Sequence, residues 1–175
     1  LMLVLLGTSA ASMLIAANRT LFIVNGSRDA ITVMIDETES VLVGAFSKTK
    51  IALGEGSHTW KLAEPKAIAG EGHFTMATDF ATRFFESPVF VLDPGRVSVV
   101  IQEKAFYGAQ NHQGVTHRLH VGEAFVSYPN IDLAFEPFPA AVKIVAGGAT
   151  RDRVDALLGD PHAAIHFVSQ ELPAS

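Results

Sequence analysis

The chain contains no cysteine. That absence excludes a disulfide framework, a thiolate zinc site, a cysteine nucleophile and attachment to a membrane through a lipidated cysteine. A second absence is local: no Asp, Glu, Lys or Arg occurs before Arg19, so the opening stretch LMLVLLGTSAASMLIAAN is uncharged. A third is the lack of a basic cluster. The 13 Lys and Arg residues are scattered among 18 Asp and Glu, and the formal net charge is −5. A nucleic-acid binder needs a concentrated basic face to offset phosphate charge, so nucleic acid is not an expected partner. No Gly-rich phosphate loop, Gly-x-Ser-x-Gly elbow or His-Glu-x-x-His pair occurs either. No catalytic residue, cofactor site or metal site is therefore assigned.

What is present begins with that uncharged opening. As a helix, Leu1 to Ala17 would extend about 25 Å, close to a hydrocarbon core of about 30 Å. The small residues of TSAAS also suit a signal-peptide cleavage site. Gly7 and Ala11 are four apart, as are Ser12 and Ala16, a spacing that lets membrane helices approach closely. The expectation is a retained transmembrane helix over 1–18, packed against neighbours through Gly7, Ala11, Ser12 and Ala16. Its setting would be single-pass in a bacterial inner membrane, with the following domain periplasmic.

From Thr20 the pattern changes to short apolar runs separated by turn residues. TLFIV (20–24) and AITVMID (30–36) flank Asn25-Gly26, a turn dipeptide that predicts a hairpin. Ile31, Val33 and Ile35 alternate with Thr32, Met34 and Asp36, as in a half-buried strand. TKIAL (49–53) and SHTWKL (57–62) repeat the pattern, with His58, Trp60 and Leu62 on one face. SPVFVL and RVSVVIQ meet across Asp93-Pro94-Gly95, with Val97, Val99 and Ile101 pointing to the core. THRLHVGEAFVSY (116–128) supplies one or two more strands, whereas HFTMATDFATRFF fits strand and helix equally. The expected fold class is mainly β: a β-sandwich over 19–127 with an N-terminal transmembrane helix and a short C-terminal helix. That helix is read over 151–158, with Thr150 as cap, Val154, Leu157 and Leu158 as the apolar stripe, and Gly159 and Pro161 as the stop.

Residues 30–62 resemble the PEGA-type β-sandwich module of bacterial envelope proteins. The likeness lies in Ile35-Asp36, Val43-Gly44, the strand Ile51 to Leu53 and Gly56-Ser57-His58. Glu37 stands where that family has Gly, and no Pro occurs near Ser47 to Thr49. The resemblance implies an extracytoplasmic sandwich without catalytic residues.

The histidines are the natural candidates for metal ligands. His117 and His120 would face opposite sides of a strand, and His112 lies nearby. His162 and His166 have the i, i+4 spacing of a helical ligand pair, but Pro161 and the run IHFV oppose a helix there. Solvated loop histidines are the expectation. DETES (36–40) reads as a charged hairpin tip rather than a calcium loop. YPNIDLAFEPFPAAVKIV (128–145) combines aromatics with three prolines and suits an extended arm. Tyr128, Phe135, Phe138, Leu157 and Leu158 are its candidate docking residues. The expected function is a non-catalytic, membrane-anchored accessory subunit that stabilises a multi-subunit bacterial membrane complex, respiratory or photosynthetic. Its partners would be the other subunits, met through the helix and the C-terminal arm, and the lipid bilayer. The alternative is an extracytoplasmic envelope module that captures a ligand or polymer.

Overall fold

The computed structural model describes residues 2–65, 70–80, 83–86, 88–108, 111–142 and 148–159. One helix, α1 (Met2–Ala17), precedes β1 (Arg19–Asn25), β2 (Ile31–Ile35), β3 (Glu39–Val43), β4 (Ser47–Leu53), β5 (Gly56–Glu64) and β6 (Glu71–Met76). There follow β7 (Val89–Leu92), β8 (Val99–Gly108), β9 (Asn111–Val121), β10 (Phe125–Tyr128), β11 (Leu133–Ala134) and β12 (Ala149–Leu157). They form three four-stranded sheets, ordered β3-β2-β5-β6, β10-β7-β1-β4 and β11-β12-β8-β9.

The β10-β7-β1-β4 sheet is central because its two inner strands are apolar on both faces. β1 and β7 run parallel, with Leu21 opposite Phe90 and Ile23 opposite Leu92. Leu21, Ile23, Phe90 and Leu92 pack with Val33, Ile35, Trp60, Leu62 and Phe74 of the β3-β2-β5-β6 sheet. The alternate residues Val24, Val89 and Val91 pack with Val100 and Val154 of the β11-β12-β8-β9 sheet. A two-layer sandwich leaves one face of every strand to solvent; here the continuous run VFVL is buried throughout. Such a run is the mark of a strand covered on both sides. The expected single sandwich is thus corrected to three small sheets that build two separate cores.

Two further expectations fall. The expected span fails on length: α1 has 16 residues, about 24 Å at the helical rise, against about 30 Å of hydrocarbon. Among the described residues no helix is long and apolar enough to cross a membrane, which removes the single-pass inner-membrane anchor. The C-terminal helix over 151–158 is also absent: Ala149–Leu157 is β12, paired antiparallel with β8 from Ala149 opposite Tyr107 to Leu157 opposite Val99. Good helix formers in that stretch are overridden by nine cross-strand pairs and by burial of Val154.

The Asn25-Gly26 hairpin is likewise replaced, because β1 and β2 belong to different sheets. The buried Asn25 side chain makes the corner. Its Nδ2 donates to the carbonyls of Asp29 (2.8 Å) and Gly44 (2.9 Å), and its Oδ1 accepts from the Ser27 amide (3.0 Å). The hairpin forms instead between β2 and β3. Asp36 and Glu37 there have φ of 50° and 59°, as a tight primed turn requires. Val99 and Ile101 are buried as expected, whereas Val97 is exposed.

In β5, Trp60 and Leu62 are buried with His58 half-buried on the same face. Trp60 lies opposite Gly72 of β6, and a Cβ at Gly72 would sit 2.8 Å from Trp60 Nε1 and 3.1 Å from its Cε2. The indole is 3% exposed and belongs to the first core, so moving it disturbs its packed neighbours. We expect Gly72→Ala to lower stability by about 1–3 kcal/mol through overpacking. Gly44→Ala, whose Cβ would meet nothing closer than 3.6 Å, should stay within about 0.5 kcal/mol. Urea unfolding of both variants checks the contrast.

Candidate functional site

The junction between α1 and the central sheet gathers the densest polar network and the most exposed apolar side chains. Asn18 closes the helix, its Nδ2 donating to the Leu14 carbonyl at 3.1 Å. The Glu55 amide, in the turn between β4 and β5, donates to the Ala16 carbonyl at 2.7 Å. The Glu55 carboxylate then accepts from two guanidiniums, Arg19 Nε at 2.8 Å on Oε1 and Arg83 Nη2 at 2.6 Å on Oε2. Thr78 donates its hydroxyl to the same carboxylate and receives Arg19 Nη2 at 2.6 Å. Arg83 Nη1 reaches across to the helix and donates to Ser12 Oγ at 2.6 Å.

This arrangement sets the charge on Glu55. Burial by itself would raise its pKa, but the hydrogen bonds from Thr78, Arg19 and Arg83, with the Arg83 charge, outweigh it and hold the carboxyl at about 2. The turn is held from its other side as well. His58 Nε2 donates to the Gly54 carbonyl at 2.9 Å, and its Nδ1 lies 2.7 Å from Asp36 Oδ2 at the β2–β3 hairpin tip. The acidic tip therefore spends Asp36 on β5, since Asp36 Oδ1 also accepts the Thr59 amide at 2.8 Å.

Around this pinned base the surface is apolar. Met13 and Leu14 on α1 are 72% and 68% exposed, and Phe80 and Phe85 are 57% and 86% exposed. Phe84 is also exposed and meets Phe80 edge to face, ring centroids 5.9 Å apart. These phenylalanines lie in the stretch whose periodicity fits strand and helix equally. After β6 ends at Met76, the described residues 77–80 and 83–86 form turns rather than either element.

Of the four small residues predicted to pack a helix, Ser12 is buried under Arg83, and Ala11 and Ala16 are half-buried. Gly7 lies within α1. The docking residues predicted for the arm are engaged within the chain. Tyr128 is buried in the second core, and Phe135 packs on Phe22 in a tilted arrangement with centroids 4.7 Å apart. Phe138 lies under the Arg153 guanidinium at 4.7 Å. Leu157 ends β12, and the half-buried Leu158 packs on the second core. Burial pushes the Tyr128 phenol well above its ordinary pKa.

His117 and His120 sit on β9 rather than in a loop. His117 Nδ1 is 3.1 Å from Glu103, which also accepts Arg153 Nε at 2.6 Å. His120, on the opposite face, contacts Glu123 at 3.3 Å and stands edge-on to Tyr128. His112 is on the same strand opposite Tyr107; His162 and His166 lie outside the described residues. Among the described residues no group of three or more His, Asp or Glu could hold a metal. A shallow groove of about 630 Å³ crosses the outer face of β2, β5 and β6, lined in part by Met34, Glu37, Lys61, Glu71 and His73.

Sequence reasoning found neither Glu55 nor Arg83. The network draws on positions 12, 19, 55, 78 and 83, which share no spacing pattern; the one available signal is an uncharged helix followed at once by Arg19. Comparison with protein-family models, curated proteins and solved structures finds no match.

Proposed function

We propose that this chain is a non-catalytic accessory subunit that contributes a rigid, three-sheet body to a multi-subunit membrane assembly and meets it at the α1 end. The observation that carries the reading is the set of exposed apolar side chains, Met13 and Leu14 on α1 and Phe80, Phe84 and Phe85 on the segment that Arg83 ties to it, over a base fixed by Glu55. Exposed apolar patches of this kind mark interaction surfaces. Support comes also from how the ionisable groups are used. Glu55 links β1, the residue 83 segment and, through Arg83, α1, whereas Asp36 and Glu103 each join strands within one sheet.

The test is depletion of the chain from its native membranes. We expect the amount of intact assembly, measured by native mass spectrometry in mild detergent, to fall while the specific activity of the remainder is unchanged. A chain that runs alone at its own mass overturns the proposal, as does a loss of specific activity with the assembly intact.

The groove on β2, β5 and β6 favours the second reading, an envelope module that captures a ligand or polymer. Its mixed lining of Lys61, Glu37 and Glu71 offers polar recognition on an open face. Lys61→Ala, at an exposed position, would then weaken ligand binding without altering stability.

A further inference from the structure

We infer that α1 and the side chains of Phe80, Phe84 and Phe85 together seat in the face of a lipid bilayer without crossing it. The inference deepens the accessory-subunit reading and concerns what covers its apolar end. Three observations select lipid over a protein surface. First, α1 has no Asp, Glu, Lys or Arg in MLVLLGTSAASMLIAA, so its sequence is apolar around the whole circumference rather than along one stripe. A helix of that kind is buried on every side. Among the described side chains the body covers Ser12, whereas Met13 and Leu14 stay exposed. A protein partner, including a second copy of this chain, would cover one more side; lipid surrounds the rest.

Second, Phe80 and Phe85 project from a separate segment that Arg83 ties to the same helix through Ser12. Two elements distant in sequence thus carry exposed apolar side chains on a common base. Third, the charges do not suit an electrostatic partner. Arg19 and Arg83 are both committed to Glu55, the neighbouring Asp79 and Glu86 are acidic, and the chain carries −5 overall. Anionic headgroups gain nothing here, so zwitterionic lipid is sufficient and salt has no effect. A helix of about 24 Å, tilted within a leaflet about half of the roughly 30 Å hydrocarbon thickness, meets these conditions.

The experiment uses the purified full chain with phosphatidylcholine vesicles. We expect it to co-float with the vesicles equally at low and high salt. Phe85→Trp should show a blue-shifted emission that brominated acyl chains quench, with buried Trp60 as an unquenched background. Replacing Phe80, Phe84 and Phe85 together by Ser should leave the urea midpoint unchanged and weaken partitioning at least about tenfold. The inference is overturned by a chain that stays in the aqueous phase, by binding that needs anionic lipid and is lost in salt, or by an unquenched Trp at position 85. A chain that dimerises and ignores vesicles assigns this end to a second copy and overturns it too. None of these failures touches the accessory-subunit reading, whose test contains no vesicles.

Discussion

Replacing Glu55 by alanine is expected to lower the stability of the protein by about 2–4 kcal/mol, because it leaves two largely buried guanidiniums without their common carboxylate. For a chain of this length that corresponds to a fall in Tm of roughly 5–15 °C. Glu55→Gln should fall between the two, since an amide retains an acceptor for one arginine and loses the charge. The pH dependence follows from the same geometry. The folded-state pKa of Glu55 is about 2, below its ordinary value of 4.5. A depressed carboxyl contributes stability that is fully present above the unfolded pKa and is lost as pH falls through the folded one. Thermal scans should therefore show the wild type losing stability between about pH 4.5 and pH 2. With allowance for solvent screening, Glu55 accounts for about 1–3 kcal/mol of that loss. Glu55→Ala should lack that component. A variant with the same acid-induced loss as the wild type would show that the network contributes nothing.

Val91→Asp should be more damaging still, with a loss above about 4 kcal/mol and no cooperative unfolding transition at neutral pH. Val91 is 1% exposed and faces the core shared with Val100 and Val154, a cluster without a cationic side chain among its buried members. In a two-layer sandwich whose core lay on the Phe90 and Leu92 side, position 91 would face solvent and accept Asp at little cost. The substitution thus separates a three-layer from a two-layer body. Phe85→Asp, at an 86% exposed position, provides the matched control and should unfold like the wild type. Circular dichroism and urea titration of the pair measure both outcomes. A cooperative, near-native transition for Val91→Asp would overturn the layered architecture described above.

Local rules served well where burial has a simple period. The alternation of Ile31, Val33 and Ile35 marks β2, and the shared face of Trp60 and Leu62 marks β5. Asp93-Pro94-Gly95 separates β7 from β8 as its turn chemistry predicts; the Asp93 carboxylate accepts the Ser98 amide at 2.7 Å. They failed where two local signals compete. Around 151–158 a cap, an apolar stripe and a stop satisfy every requirement of a short helix. The stretch nonetheless pairs with β8, because a two-turn helix has little stability of its own whereas β12 completes a sheet over a core. Asn25-Gly26 is a favourable hairpin turn, yet the Asn25 side chain uses its amide to fold a corner between sheets.

By itself, then, the sequence determined the alternating strands β2 and β5, the break at Asp93-Pro94-Gly95 and the uncharged opening. These properties depend on residues within one or two turns of each other. The tertiary structure alone decided which sheet each strand joins, that two cores rather than one are built, and that Ser12, Arg19, Glu55, Thr78 and Arg83 meet. The reason is physical: periodicity reports which face of an element is apolar, not which distant face it will cover. A buried guanidinium finds its carboxylate only after the layers have packed, so the base that holds the apolar end has no counterpart in local spacing.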